Sequence, residues 1–306
     1  MNATLFLMTQ KGFEVLKALV ANNYASNIDN VVVGRDKNVL KDYADEIVHL
    51  CVEQGIHYLE RSDLKTAQKT IDSPYSIAIS WRWLISNTPN ETSKLIVLHD
   101  SLLPKYRGFA PLVNALIQGE KEIGATALFA NSEYDAGDIL AQKSTQINYP
   151  IKIAEAIELV SKNYVDLTLS LFEKISQNQK LLGIPQNPQE ATYSLWRNEN
   201  DYLIDWTQSA SQILSFINAV GSPYKGAATF VDGQQKIRIL EAELVADVNI
   251  VNRDVGKVIF VRGQFPVIVC GKGLLKITKA IDDFEQASVL PFKNFRVRLY
   301  GRKLSF

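Results

Sequence analysis

Four short apolar runs set the strongest limit on what this chain can become: Thr4-Leu5-Phe6-Leu7-Met8, Asn30-Val31-Val32-Val33-Gly34, Tyr75-Ser76-Ile77-Ala78-Ile79-Ser80 and Leu95-Ile96-Val97-Leu98. Each is short for a helix and too uniformly apolar for a strand with one wet face, which is the pattern of a strand buried on both sides. Between the first two runs Gly12 opens a helical pattern carried by Leu16, Leu19 and Val20; after the second, Leu40, Tyr43, Ile47 and Cys51 repeat at helical spacing. Apolar strands alternating with helices predict a parallel, doubly wound α/β sheet, in which ligands bind at the carboxyl ends of the strands. The fourth run ends at His99 and leads into a segment with Pro104 and Gly108, so an imidazole stands where this fold places its chemistry.

Farther along, residues 125–130 and 139–147 read as strands flanking a loop with Asp135, and residues 151–175 as one long amphipathic helix. Composition then changes. After Ser176-Gln177-Asn178, Pro185 and Pro188, a helical segment at 208–220 precedes short strands separated by glycine turns, at 227–231, 236–240, 256–261, 267–270 and 274–277. That pattern predicts a smaller β-rich domain of barrel type. A chain of 306 residues exceeds the usual single domain, and the change of pattern puts one domain at 1–190 and the other at 191–306.

Composition excludes some classes. Lys plus Arg (33) equals Asp plus Glu (33), so net charge gives no argument for a nucleic-acid partner. No run approaches the roughly 18 apolar residues of a membrane span, and the N-terminus lacks the basic flank of a secretory signal. A cytoplasmic location without membrane attachment is expected. Cys51 and Cys270 belong to no metal-binding pattern and read as reduced, small hydrophobic residues; with His49, His57 and His99 as the histidines, no zinc site is predicted.

The loop after the fourth run is specific. His99-Asp100-Ser101-Leu102-Leu103-Pro104-Lys105-Tyr106-Arg107-Gly108, then Ala110-Pro111, Gly119-Glu120, Gly124-Ala125-Thr126 and Tyr134-Asp135-Ala136-Gly137-Asp138-Ile139, resembles the formyltetrahydrofolate-dependent formyltransferase family, most closely over residues 75–147. Asp201-Tyr202-Leu203-Ile204-Asp205-Trp206 and Ser222-Pro223-Tyr224-Lys225-Gly226-Ala227 are similar to pieces of the C-terminal domain shared by methionyl-tRNA and sugar N-formyltransferases. Glycinamide ribonucleotide formyltransferases lack that domain. The resemblance implies a Rossmann-like formyltransferase domain followed by an OB-like barrel, with N10-formyltetrahydrofolate as formyl donor.

It also implies roles. Formyl transfer between two nitrogens needs a neutral nucleophile, a proton route and a place for the tetrahedral oxyanion. His99 would move the proton or face the oxyanion, and Asp135 would hold the imidazole; the plain alternative for Asp135 is a turn-former. Trp81, Arg82, Trp83 and Leu84 resemble the loop that embraces the pterin, with Leu102 and Gly137 brought against the same ligand; the alternative for the tryptophans is ordinary packing. Lys11, at the start of the first helix, would meet a phosphate or stand in an exposed loop. Lys105 and Arg107 would neutralise a nucleotide diphosphate, or Arg107 would tie the loop to the scaffold.

One position departs from the family. Two residues before the histidine the family places an asparagine whose amide polarises the formyl carbonyl, and here that residue is Val97, which has no donor. Loss of one such donor costs on the order of 2.7–4 kcal/mol of transition-state stabilisation in other enzymes. Asp100, Ser101 and Asn114 are polar and near in sequence.

The acceptor implied is an amine on a nucleotide-linked 4-amino-deoxysugar. Methionyl-tRNA is the rival within the class, but Gly34-Arg35-Asp36-Lys37-Asn38 is short and mixed in sign where that branch carries a basic loop. A folate- or sugar-nucleotide-binding module without catalysis is the reading from another class, and a formyltetrahydrofolate hydrolase ranks below both. Related sugar enzymes suggest a homodimer.

Overall fold

The computed structural model describes residues 1–36, 41–63, 73–85 and 94–304. They fall into two compact units, one of residues 1–111, 122–146 and 157–194, the other of residues 112–121, 147–156 and 195–306.

The first unit is built on a seven-stranded sheet. Its strands are β1 (Ala3–Leu7), β2 (Ile28–Val33), β3 (Tyr58–Glu60), β4 (Tyr75–Ile79), β5 (Lys94–His99), β7 (Glu122–Phe129) and β8 (Ile139–Gln146), with a short β6 (Arg107–Gly108) outside it. Their order is β3-β2-β1-β4-β5-β7-β8. The first five run parallel; β7 and β8 are antiparallel to their neighbours. This is the doubly wound α/β sheet, closed on one side by a hairpin. Periodicity located β7 and β8 but carries no direction; a connecting loop of 130–138 without a crossover helix fits only an antiparallel pair. The edge strand β3 has a half-buried pattern and went unread in the sequence.

Helix α1 (Thr9–Ala21) follows β1 and α2 (Ala44–Glu53) follows β2. Tyr43 lies just outside α2, at its N-cap with φ 60°, and Leu40 lies outside the described residues. The two faces of the sheet follow from the register. Leu7, Ile79 and Leu98 are aligned neighbours on one face, and a Cβ on Gly12 of α1 would lie 3.1 Å from the Leu7 Cβ, so glycine there lets α1 approach β1 closely. On the same face stands α4 (Ile153–Ser176), whose buried Tyr164 donates to the Leu98 carbonyl at 2.9 Å. On the other face Val32, Phe6, Ala78 and Val97 form one aligned row, covered by Trp81 and Ile85.

The second unit contains most of α3 (Pro111–Gln118), α5 (Ala210–Ala219) and six antiparallel strands: β10 (Ala227–Val231), β11 (Gln235–Val245), β12 (Val258–Arg262), β13 (Phe265–Val269), β14 (Leu274–Asp282) and β15 (Leu299–Tyr300). Their order is β12-β13-β14-β11-β10-β15. Register shifts around Glu241 bend β11, and a bridge between Lys257 and Arg298 joins the two ends of the sheet, which curls it into the expected barrel. Ser209 and Gln212 cap α5 reciprocally, a start signal visible in the sequence. Both cysteines are buried, and burial pushes each thiol up to about 12. Among the described residues no helix is long and apolar enough to cross a membrane, and no group of three or more His, Cys, Asp or Glu could hold a metal ion.

Candidate active site

His99 is the last residue of β5, where the parallel strands end. Side chains alternate along a strand, so His99 shares the face of Val97, and Asp100 turns to the face of α1 and α4. His99 is 8% exposed. Its Nε2 lies 2.9 Å from the Tyr106 carbonyl and its Nδ1 3.6 Å from Oδ2 of Asp135. Both ring nitrogens therefore face oxygens that only accept hydrogen bonds.

Asp135 reaches His99 by an indirect path. Phe129, the end of β7, is aligned with Ile96, and the amide of Ala130 donates to Leu95, so the loop starts at the opposite end of β5 from the histidine. It then doubles back along the sheet. Asp135 adopts the left-handed region at φ 52° and accepts the Gly108 amide at 2.8 Å. Gly137 is required to be glycine, since a Cβ there would lie 1.8 Å from the Phe129 carbonyl. Gln186, absent from the sequence reading, anchors the loop: its amide donates to the carbonyls of Asp135 and Gly137 at 2.8 and 2.7 Å, and its oxygen accepts from Arg107. A lone glutamine in a loop carries no local signal for such a task.

The signature loop 101–108 is held in the same way. Thr126, aligned with His99, donates to the Ser101 carbonyl at 2.7 Å and accepts the Leu103 amide at 3.1 Å. Ser101 donates to the Lys105 carbonyl at 2.7 Å, and Gln142 donates to the Leu103 carbonyl at 2.8 Å. Leu102 is half-buried and packs where a Cβ on Gly124 would stand.

Lys105 is exposed. Arg107 is buried and its guanidinium is spent on Gln186, so it ties the Asp135 loop to the signature loop and is not presented to a diphosphate. Lys11 also has a different use from a phosphate contact. It is 7% exposed, and its ammonium lies 2.5 Å from Oδ2 of Asp100 and over the ring of Tyr164. A lysine in such a pair is not available to an incoming anion without leaving a half-buried carboxylate uncompensated.

The loop after β4 combines packing with exposure. Trp81 stands edge-on to Phe6 and to Trp83, with ring centroids 5.2 Å apart in each pair. Arg61 stacks over Trp83 at 3.9 Å, and Arg82 pairs with Asp36 at 2.5 Å. Leu84 is 90% exposed, and the indole N–H of Trp81 is buried with no protein acceptor among the described residues. Val97 is packed in the row that Trp81 covers and offers no donor beside His99.

Comparison with known proteins places this geometry. Residues 15–161 match the family described as formyl transferase, and residues 197–288 match its C-terminal domain. The methionyl-tRNA formyltransferase of Streptococcus pyogenes serotype M4 is 31% identical over 275 residues, covering 86% of this chain and 85% of the relative. An N-formyltransferase from Helicobacter canadensis, solved with folinic acid and dTDP-3-aminofucose, shares the fold at a TM-score of 0.67 with 15% identity, covering 90% of this chain and 98% of that one. HypX from Aquifex aeolicus, solved with tetrahydrofolic acid, superposes at 0.60 with 20% identity; 85% of this chain spans 45% of that longer protein.

Proposed function

Because the chain belongs to the formyl transferase family across both of its units, we propose that it transfers the formyl group of N10-formyltetrahydrofolate to the primary amine of a nucleotide-linked 4-amino-deoxysugar. The observation that carries the reading is the pair of buried His99 and half-buried Asp135 at the end of β5, with Asp135 fixed by the Gly108 amide.

In this mechanism the neutral amine attacks the formyl carbon, the carbon–nitrogen bond to the donor breaks, and the proton lost by the incoming nitrogen is returned to the leaving one. His99 carries that proton, exchanging the contact between its Nε2 and the Tyr106 carbonyl for the substrate nitrogen, while Asp135 fixes Nδ1. Valine at 97 offers no donor, and in this mechanism the imidazole meets the oxyanion. The loop after β4 suits the donor: Trp81, Trp83 and Leu84 offer apolar surface to a planar ring, and the unpartnered Trp81 N–H fits a ligand acceptor. The family likeness would bring Leu102 and Gly137 against the same ligand, and exposed Lys105 offers a cation to a diphosphate.

A small acceptor is favoured by charge. Arg35 is bound to Glu60 and Asp45, and Lys41 to Glu46, so the described part of the region after β2 carries its cations in pairs. The extended identity with a methionyl-tRNA formyltransferase favours methionyl-tRNA as the second reading. Incubating the protein with N10-formyltetrahydrofolate and a panel of aminosugar nucleotides, with methionyl-tRNA alongside, decides between them by the mass gained as a formyl group. Product from a sugar nucleotide supports the proposal, product from the tRNA alone replaces it with the second reading, and folate binding without product leaves a binding module.

A further inference from the structure

The residue after the histidine is as firmly held as the histidine itself, from the other side of the sheet. Asp100 receives the Lys11 ammonium at 2.5 Å on Oδ2 and the Tyr164 hydroxyl on Oδ1. The same hydroxyl lies 2.9 Å from the carbonyl of Leu98, and the Lys11 Nζ lies 5.0 Å from the centre of the Tyr164 ring. Thus α1, β5 and α4 meet at one carboxylate, and the contacts fall on the residues immediately before and after His99. From this geometry we propose that Lys11, Asp100 and Tyr164 are positioning residues for His99, clamping the end of β5 from the face opposite the imidazole.

His99 is the last residue of β5, and beyond it the backbone leaves the sheet for the signature loop. A terminal strand residue has hydrogen-bonded neighbours on one side only, and a small rotation of its Cα–Cβ vector displaces the ring nitrogens. The clamp removes that freedom by pinning the Leu98 carbonyl and the Asp100 side chain to helices packed behind the sheet. Burial pushes the Asp100 carboxyl up, but Lys11, Tyr164 and neighbouring His99 outweigh it and hold the group below the ordinary carboxylate value. Burial, then the charge of Asp100, keeps the Tyr164 phenol well above its ordinary value and so a donor. The Asp100 carboxyl is therefore ionised at neutral pH opposite the Lys11 ammonium, and the single Tyr164 proton is shared between that carboxylate and the Leu98 carbonyl.

This inference rests on His99 being the acid/base of the proposed function, so its test has one readout that needs no turnover. Ring nitrogen NMR of the full chain, with His99 assigned by comparison with His99→Gln, reports the tautomer and order of the imidazole. Tyr164→Phe, which removes one oxygen, and Asp100→Asn are compared with the parent by that spectrum, by thermal melting and by steady-state kinetics. The expected result is a shifted or broadened His99 signal in both variants, with kcat lowered roughly ten-fold in Tyr164→Phe and up to about a hundred-fold in Asp100→Asn. KM for both substrates stays within about two-fold, the split expected when binding is intact and alignment is lost. A His99 signal and kcat unchanged in Tyr164→Phe, with only the melting temperature lowered, overturns the proposal; that variant decides it if Asp100→Asn does not fold. If the parent forms no product from any amine, the proposed function fails and the His99 signal alone decides the clamp.

Discussion

Two buried charge networks, one in each unit, use the same ingredients to different ends. In the sheet unit a buried lysine, an aspartate and a tyrosine meet at the end of β5, beside His99. In the barrel unit Arg238, 2% exposed, is bound through its guanidinium to Glu199, to Asp283 at 2.5 Å and to the Gly226 carbonyl at 3.1 Å, with Lys236 joining both carboxylates. The first lies where a strand ends and the chain opens into loops; the second lies on β11 in the body of a curled sheet. A buried ion pair contributes little net stability but fixes geometry strongly. What it is good for therefore depends on what stands next to it, and only the first has a reactive side chain as neighbour.

The contrast can be broken by mutation, and the largest effect belongs at the strand end. His99→Ala is expected to lower formyl transfer by on the order of 10³-fold or more with little change in melting temperature, checked by product mass against time. Unchanged turnover would remove His99 from the mechanism. Arg238→Met is expected to do the reverse, lowering stability by about 2–3 kcal/mol while turnover per folded molecule stays the same. The figure is below the usual cost of breaking a buried pair because the Glu199 side chain is 43% exposed and water screens it once the arginine is gone. Denaturant unfolding with activity measured on the same samples tests both halves.

Val97→Asn sharpens the comparison in the other direction. Restoring an amide two residues before His99 is expected to speed transfer roughly ten-fold, because a donor would then face the oxyanion. The same change places a polar group against Phe6 and Ala78, and a melting temperature lower by a few degrees is expected. No gain in rate would show that another donor, such as the Trp81 indole, already serves.

The smallest effect is electrostatic. Burial raises the Glu199 carboxyl, but its hydrogen bonds to Lys236 and Arg238 outweigh burial and hold it at about 2, against an ordinary 4.5. A carboxyl lowered in the folded state adds stability above its unfolded value and loses it as pH falls toward the folded one. Melting temperature should therefore fall between about pH 4.5 and about pH 2, with a shallower fall in Glu199→Gln and in high salt.

The sequence was legible where a signal is local. The apolar runs located β1, β2, β4 and β5 to within a residue or two, and the spacing of apolar residues located α1 and α4. The glycine-punctuated strands of the second unit read as a barrel, and the bridge from Lys257 to Arg298 supplies the closure. Strands too short for a period, such as β6, β9 (Tyr193–Ser194) and β15, left no trace. At the candidate site, the motif around His99 and Asp135 marked the two residues, but nothing in it marks their partners. Gln186 and Tyr164 are ordinary residues in a loop and on a helix, far along the chain, and meet the site only through hydrogen bonds made after folding. Lys11 shows the same limit: a cation at a helix start suggests an anion from outside, whereas Asp100 meets it; for Arg107 the tie to the scaffold is one of two readings open in the sequence, and Gln186 is its partner.

What the sequence alone determined is the kind of fold, the family and the departure at Val97, because apolar period, turn chemistry and motif identity are properties of neighbouring residues. What the tertiary structure decided is direction and commitment. It turned β7 against β5, so that the Asp135 loop must double back to reach the histidine, and it assigned Lys11 and Arg107 to internal partners. Those outcomes depend on which distant groups burial brings within hydrogen-bonding distance, and a buried charge or amide takes the partner that folding provides.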